Sequence, residues 1–547
     1  MLKRKKFGDF LLEKEVIQRE ELTAAVKAQQ VSGKKLGETL MEQGILDECR
    51  FTSLLAEYFQ MDVFPASDIE ITEELLALIP KQLAYKYNIA PVSLKEGNLF
   101  VACTDQVSGM VVENLRRVSG KRVHLVMMKP SDLSSVLQAI YDEPPHDGDF
   151  TVEDAQLLSP DYAVNLLDGL LAKAINMRAS DVHLEPDRDH LRVRLRIDGM
   201  LKTVEKLPPA SAPSIISRLK VLGNMNIAEK RSPQDGGFLF NNNGYATNIR
   251  VSSLPCSRGE KVVLRLLPSR EDIFTIKDLG MEPNTSEAFL KTLHSPHGLI
   301  LVTGPSGSGK TFTLYAALRH LRSDCVNITT VEDPSEIQME GITQTQIDHT
   351  AAKKYAYCVA LKAILRQDPD IIMVGEIRDG ETARLTLQAA LSGHLVLSSL
   401  HTNDAPSAVE RLVDMGCERY LVASALRGVL AQRLIRIVCP DCRQKYTPSQ
   451  EELAALGLDE GEEHDIFQSS GCVLCHGTGY RGRTGVFELL SMDRQLRRMI
   501  SDGANAAAIR EYARGTLAMR TLREDALQKM LRGISTPAEV LKVTREL

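Results

Sequence analysis

Residues 304–311 read Gly-Pro-Ser-Gly-Ser-Gly-Lys-Thr and come directly after the apolar run 299–302. This arrangement commits a chain to a strand, a tight glycine-rich loop and a helix in immediate succession. The helix-forming stretch 312–321 supplies the last of the three. Glycines let backbone N–H groups close around an anion, and the helix adds the positive end of its dipole. The pattern points to nucleotide phosphates, with ATP the expected ligand, cradled by Gly304, Pro305, Ser306, Gly307, Ser308, Gly309, Lys310, Thr311 and Phe312. Lys310 is expected to reach the β- and γ-phosphates, and the Thr311 hydroxyl to hold Mg2+. A chance match in a glycine-rich turn is the bland alternative, and the flanking strand and helix argue against it.

From about residue 273 onward, strand patterns over 299–303, 327–331, 371–374 and 395–398 alternate with helix patterns over 312–320, 355–366 and 381–392. That alternation predicts a parallel sheet flanked by helices, with ligands bound beyond the carboxyl ends of the strands. Two acidic strand ends lie beyond the loop. Glu332, Asp333 and Pro334 close one apolar strand; Gly375 and Glu376 close another, with Arg378 and Asp379 just beyond. Hydrolysis of a nucleotide needs a metal-associated acid and a group that positions water, so Glu332 and Glu376 are candidate catalytic residues. Either pair alone reads equally well as a helix cap or a solvated loop. His394 and His401 flank a third apolar strand. A lone histidine is more often structural, but these two are candidates for sensing the γ-phosphate and linking subunits. Residues 493–547 read as several helices.

Upstream, the first sixty residues hold an internal repeat of period 29. Gly8 aligns with Gly37, Leu11 with Leu40, Leu22 with Phe51 and Val26 with Leu55. Each copy reads as a helix, a turn and a second helix. Residues 75–141 look mixed α/β, with strands over 99–103 and 123–128, and 142–160, rich in Asp, Glu and Pro, reads as a linker. A helix over 162–176 precedes strands over 181–185, 191–197, 246–252 and 261–267. On the second of these, Leu191, Val193, Leu195 and Ile197 face one way while Arg192, Arg194 and Arg196 face the other. Three like charges on one strand face repel. A solvated face is the bland reading, and a face that meets phosphates explains the row better. The expected domains are 1–65, 66–142, a linker 143–160, an Arg-rich α/β domain 161–270 and a nucleotide-binding domain 271–547.

A chain of 547 residues suggests roughly three to five domains. With 43% hydrophobic and 25% charged residues it has the composition of ordinary soluble globular proteins. The net charge of -6 gives no global sign of a nucleic-acid binder, so no direct nucleic-acid contact is expected. No apolar run approaches the roughly 18 residues that span a bilayer. Gly8, Asp9 and Glu13 break up the stretch beyond the basic start, which leaves no apolar core of a signal peptide. That start reads as a solvated end rather than a lipid anchor. Ten cysteines in such a chain argue for a reducing cytoplasm. Cys439-Pro-Asp-Cys442 and Cys472-Val-Leu-Cys475 form two units separated by 29 residues. Four thiolates from two such knuckles supply a closed tetrahedral site of the structural zinc kind. Redox pairs and an iron–sulfur cluster are the competitors, and His476 reads as a bystander. A zinc subdomain over 436–485 is expected inside the last domain.

From about Ser180 to the C-terminus the chain resembles the ATPases that power type II secretion and type IV pilus assembly. The matching segments are Ser-Asp-Val-His-Leu-Glu185, Arg-Ile-Asp-Gly199, Ile-Ala-Glu-Lys-Arg231, Pro-Gln-Asp-Gly236, the Glu332-Asp333-Pro334 box, Gly-Glu376-Ile-Arg-Asp379 and the paired-histidine segment. The resemblance implies a RecA-like parallel-sheet ATPase domain, a preceding PAS-like Arg-rich α/β domain and an ATP-hydrolysing homohexamer. It implies that Glu332 orients or activates water and that Glu376 supports Mg2+ through water. Arginines of the smaller domain, with Arg194, Arg196, Arg250 and Arg265 as candidates, would close over the nucleotide and stabilise charge on the phosphoryl group. A peripheral place at the cytoplasmic face of the inner membrane, through platform or anchor proteins of the secretion or pilus system, is also implied. The tetracysteine element belongs to the secretion and assembly members, which favours those over retraction.

The N-terminal copies resemble a duplicated module of some of these ATPases that binds cyclic di-GMP. Gly8, Gly37, Leu11, Leu40, Leu22 and Gln29 fit its pattern. Lys6 and Lys35 stand where arginine is usual, Glu15 replaces a glycine that Gly44 keeps, and Tyr58 replaces the second terminal glutamine. Lysine neither stacks on guanine nor grips it bidentately as arginine does, so these departures count against the ligand. A small helical bundle that docks to a partner is the other reading. Two rivals to a secretion motor stay open. A nucleic-acid-translocating ATPase predicts basic segments interleaved with aromatics, whereas this chain has no Trp and 5% aromatics. A regulatory scaffold would bind nucleotide without hydrolysing it.

Overall fold

Apolar residues at helical spacing in both N-terminal copies build a short and a long helix each. These are Phe7–Glu13 with Arg19–Ser32, and Leu36–Glu42 with Glu48–Phe59. The computed structural model describes residues 7–14, 16–32, 36–42, 45–69, 72, 74–75, 78–95, 97–141, 160–242, 245–267, 275–347, 356–458 and 465–545. The chain forms two units: residues 1–148 with 439–444 and 469–479, and residues 149–438 with 445–468 and 480–547.

In the first unit the two copies repeat one contact. A Cβ on Gly8 would lie 2.9 Å from a Leu22 methyl, and one on Gly37 would lie 2.2 Å from the Phe51 ring. The period of the repeat aligns these two pairs, so the same glycine admits the same large neighbour twice. Tyr58 joins a ring cluster, its centroid 5.3 Å from Phe7 and 5.4 Å from Phe10. Lys6, Glu15, Lys35 and Gly44 lie outside the described residues, as does the side chain of Gln29.

Next come β1 (Ile89–Lys95), antiparallel to β2 (Asn98–Cys103), and β3 (Arg122–Met127), parallel to β2. The apolar face of helix Pro130–Tyr141 covers them with Leu133, Val136 and Leu137. Into the same core goes Leu474 from the second cysteine knuckle, 4% exposed, with Val473 and Cys472 packed beside it. The sequence places 436–485 within 271–547, and the structure divides that segment. Residues 439–444 and 469–479 belong with the N-terminal core, because apolar contact rather than chain position decides which core a segment joins.

The first described element of the second unit is helix Pro160–Asn176; the rest of the expected linker lies outside the described residues. An antiparallel sheet comes next, made of β4 (Ala179–Pro186), β5 (Leu191–Ile197), β6 (Met200–Leu207), β7 (Gln234–Asn242), β8 (Tyr245–Cys256) and β9 (Gly259–Leu266). Their order is β6-β5-β4-β9-β8-β7. The sequence does not predict β6 and β7, since neither carries enough alternating apolar residues to show period two.

The larger sheet contains β10 (Gly298–Thr303), β11 (Ile328–Glu332), β12 (Thr343–Gln346), β13 (Ile371–Val374), β14 (Leu395–Leu400), β15 (Leu426–Val438) and β16 (Tyr480–Ser491). Their order is β12-β11-β13-β14-β10-β15-β16. Every pairing up to β15 is parallel, and β15 with β16 is antiparallel. The parallel sheet expected from the sequence thus carries one antiparallel edge strand. Central strands β10, β13 and β14 are buried throughout their length, as helices on both faces require. Among the described residues no helix is long and apolar enough to cross a membrane.

Helix Leu522–Leu531 docks on β16 through a buried ion pair. Lys529, 2% exposed, donates to Asp525 Oδ2 at 2.7 Å and to the Gly485 carbonyl, while the Phe487 N–H donates to Asp525 Oδ2 at 2.9 Å. Burial lowers the Lys529 pKa, and the Asp525 carboxylate opposes that shift. Asp525→Ala leaves the ammonium buried without its counter-charge, a loss of about 3–5 kcal/mol. Scanning calorimetry should show the transition of this domain shifted to markedly lower temperature.

Candidate active site

β10 ends at Thr303, and the chain turns at once into the glycine-rich loop and helix Lys310–Leu321. Neighbouring β15 explains why the turn needs glycine. Gly309 has φ 87°, and a Cβ there would lie 2.8 Å from Gln432 Nε2. Gln432 Oε1 in turn accepts the Thr313 hydroxyl at 2.6 Å, which braces the first turn of the helix. Lys310 Nζ donates to the carbonyls of Gly304 at 2.8 Å and Pro305 at 3.0 Å, folding back over the loop. Burial pushes its pKa down to about 8, with Glu376 opposing and Arg433 reinforcing the shift. The buried Ser308 hydroxyl has no hydrogen-bond partner among the described residues. Such an orphaned donor in a glycine-rich loop that opens a helix suits phosphate oxygens. Thr311 sits half-buried in the first helical turn. A hydroxyl there fits a Mg2+ ligand.

Glu332 is the last residue of β11 and is 3% exposed. Its Oε1 accepts the Thr330 hydroxyl at 2.6 Å and Gln344 Nε2 at 3.0 Å, and its Oε2 accepts the Tyr315 hydroxyl. Thr330 lies on the same face of β11 two residues earlier, Gln344 comes from β12, and Tyr315 comes from the phosphate-loop helix. Glu376 lies just past β13 and pairs with Arg378, which also lies 3.5 Å from Asp333. His401 Nε2 is 3.4 Å from Glu376 Oε2. The two histidines separate. His401 sits past the carboxyl end of β14, whereas His394 precedes its start and contacts the Ala389 carbonyl at 2.9 Å. A strand of six residues puts them roughly 20 Å apart. Only His401 stands among the acidic strand ends.

The arginine row on β5 meets carboxylates rather than open solvent. Register sets Arg192 opposite Glu185 and Arg196 opposite Asp181 on β4, and Arg265 of β9 opposite Asp181 from the other side. Arg194 donates to Glu185 at 2.7 Å, Lys261 lies 2.9 Å from the same carboxylate, and Arg265 Nε donates to Asp181 at 3.1 Å. Arg196 lies 3.6 Å from Asp181 and donates to the Gly199 carbonyl at 2.8 Å. Burial works to raise the Glu185 pKa, but the bonds from Arg194 and Lys261 hold it at about 2. The repulsion noted in the sequence is therefore eased by β4, which gives the row an ion-pair lattice in place of a merely solvated face. Arg250 is the candidate that reaches the acidic box: its Nη2 donates to the Ser335 carbonyl at 3.1 Å. Burial lowers the Arg250 pKa, and Glu336 opposes the shift. A second link joins the Gly482 N–H to Asp198 at 2.9 Å.

Tyr315, Gln344, Gln432 and Arg433 are site residues that sequence reasoning missed. Tyr315 was legible as a polar group inside the apolar face of the phosphate-loop helix. Gln432 and Arg433 carry no local signal, because they join the site only through the β10–β15 pairing.

The four knuckle cysteines bring their sulfurs within 4.8 Å of one another. Cys439 and Cys472 sulfurs lie 3.8 Å apart, and those of Cys442 and Cys475 lie 3.9 Å apart. A Zn–S bond of about 2.3 Å gives a tetrahedral edge of about 3.8 Å, so the donor set fits zinc. Disulfide bonding needs about 2.05 Å. Cys475 Sγ also accepts N–H groups of Cys472 at 3.0 Å and Gly479 at 3.2 Å, which orient a thiolate for a metal.

A glycine loop between a buried parallel strand and a helix, faced by acidic strand ends, defines a phosphate-loop nucleotide-binding α/β protein. Residues 158–542 match the family described as type II/IV secretion system protein, and residues 59–147 match the MshEN domain. The type II secretion system protein E of Pseudomonas aeruginosa is 40% identical over 505 residues, covering 88% of this chain and 99% of that protein. The type IV pilus assembly ATPase PilB of Myxococcus xanthus is 36% identical over 558 residues, covering 98% of each. Among solved structures, the ATPase DotB of Legionella pneumophila shares the fold, with a TM-score of 0.54 and 19% identity over 74% of this chain and 99% of that one. The chain belongs to the type II/IV secretion system protein family, a family of secretion and pilus ATPases.

This geometry has two measurable consequences. Cys475→Ser should remove the metal bound per chain, read by elemental analysis. Because Leu474 is part of the N-terminal core, the same change should speed limited proteolysis between residues 60 and 141. For Lys310, phosphate binding restores the pKa that burial depresses, so affinity is full below about pH 8 and falls as pH rises through that value. Calorimetric titration with ATP between about pH 7 and 9.5 should show a fall toward tenfold per unit above pH 8.

Proposed function

We propose that this protein is a Mg2+-dependent ATPase motor that works as a homohexamer and drives assembly of a type II secretion pseudopilus or a type IV pilus. The observation that carries this reading is the Glu332 carboxylate, held by three donors and tied to the phosphate-loop helix through Tyr315. A carboxylate oriented at that depth suits a water-positioning group better than a helix cap.

In this reading Lys310 and the N–H groups of residues 304–311 bind the phosphates. Thr311 holds Mg2+, and Glu376 supports the metal through water, braced by Arg378 and His401. Mg2+ supplies charge neutralisation at the β- and γ-phosphates. Glu332 orients the attacking water and accepts its proton. Arginines of the smaller domain stabilise charge on the phosphoryl group, with Arg250 reaching the loop of the acidic box and Arg194, Arg196 and Arg265 acting through the lattice around Asp181 and Glu185. Opening and closing of that domain converts hydrolysis into motion. Zinc holds the tetracysteine knuckle. The protein works in the cytoplasm, peripheral at the inner membrane through platform or anchor proteins of its secretion or pilus system. Cyclic di-GMP is the ligand proposed for the N-terminal module, where Tyr58, in the place of the second terminal glutamine, packs among its own rings.

Steady-state turnover decides it. Glu332→Gln should lower kcat by about 10²-fold or more while ATP still binds, and Lys310→Ala should lose binding as well. Turnover absent from the parent chain would leave a non-hydrolysing scaffold, and stimulation by nucleic acid would leave a translocase.

A further inference from the structure

Tyr315 lies five residues beyond Lys310 on the phosphate-loop helix and is 1% exposed. Its hydroxyl accepts the Glu336 N–H at 3.1 Å and bonds Glu332 Oε2. An amide has only a proton to offer, so it occupies a lone pair of the hydroxyl oxygen, and the phenolic proton goes to the carboxylate. Burial and then the Glu332 charge raise the Tyr315 pKa, which keeps the phenol protonated and donating.

An ionised carboxylate has about four accepting positions, two on each oxygen. Thr330 and Gln344 fill both on Oε1, and Tyr315 fills one on Oε2. Among the described hydrogen bonds, one accepting position on Glu332 is left. It is on Oε2, and the direction of the Tyr315 bond sets where it points.

We propose that Tyr315 is a positioning residue for hydrolysis: its hydroxyl turns Glu332 so that the open lone pair of Oε2 faces the attacking water. This rests on the reading of Glu332 as the water-orienting group. The same hydroxyl holds the Glu336 N–H, and the preceding carbonyl, that of Ser335, accepts Arg250 at 3.1 Å. The loop after Glu332 is thus gripped by the phosphate-loop helix from one side and by the Arg-rich domain from the other. Tyr315 is where that grip reaches the carboxylate.

Tyr315→Phe deletes one oxygen and keeps the buried ring, so the protein should retain its melting transition within a few degrees. Without the phenol the carboxylate regains rotational freedom, and a misaligned base costs rate rather than binding. Kinetics of the full chain should show kcat for ATP lowered about tenfold or more, with KM within about twofold. A kcat equal to the parent's, or a KM that rises as kcat falls, overturns the proposal. In the Glu332→Gln background the Tyr315→Phe change should cost nothing further, and an additional loss means that Tyr315 acts elsewhere. If Glu332→Gln retains turnover, the reading of Glu332 fails and takes the positioning role with it. If Glu332→Gln is inactive while Tyr315→Phe matches the parent, the positioning role alone fails.

Discussion

The parallel registration of β10 between β14 and β15 is the constraint on which the rest of the site depends. Thr303 pairs with Leu400 on one side and Ala431 on the other. The next residue of each strand is then level with its neighbours: Gly304 opens the phosphate loop, His401 faces Glu376, and Gln432 fills the space that the loop glycines leave. The Thr303 hydroxyl secures that level, donating to the Leu400 carbonyl at 3.1 Å and accepting the Thr402 N–H at 2.9 Å. A shift of one residue would turn side chains to the opposite face and break every one of these contacts.

Charge on the smaller domain obeys the same logic of register. Like charges at alternate positions of β5 are tolerable because β4 presents Glu185 opposite Arg192 and Asp181 opposite Arg196, with Glu185 also taking Arg194; Lys261 and Arg265 of β9 share the same two carboxylates from the far side. Arg250, one strand beyond on β8, extends the lattice to the carbonyl of Ser335 and so to the loop after Glu332.

The cysteine knuckle shows how far contact can depart from chain order. Its two halves leave the larger unit after β15 and return at β16, an antiparallel pair that brings residues 438 and 480 together. Its apolar tip is buried in the core of residues 66–141. The four cysteine sulfurs and the buried Leu474 thus belong to one element, the sulfurs gathered at its base and Leu474 anchoring its tip.

Much of this protein is local in origin and so legible in the chain. The loop 304–311, the acidic ends at Glu332 and Glu376, the two cysteine units and the 29-residue repeat are each set by spacing within a short segment. Their elements form where periodicity and turn chemistry place them. Strands β6 and β7 lack the alternating apolar pattern, and β15 and β16 went unread although their pairing carries Gln432 and the knuckle. The sequence by itself determined that a nucleotide cradle, a pair of acidic strand ends and a four-thiolate site exist. Tertiary structure decided that Tyr315, Thr330 and Gln344 hold Glu332, that β4 sets Asp181 and Glu185 against the arginine row, that His394 and His401 part company, and that the knuckle joins the N-terminal core. Those outcomes depend on which distant strands pair and in what register, and the energy that selects a pairing is spread over whole buried faces rather than written in any one segment.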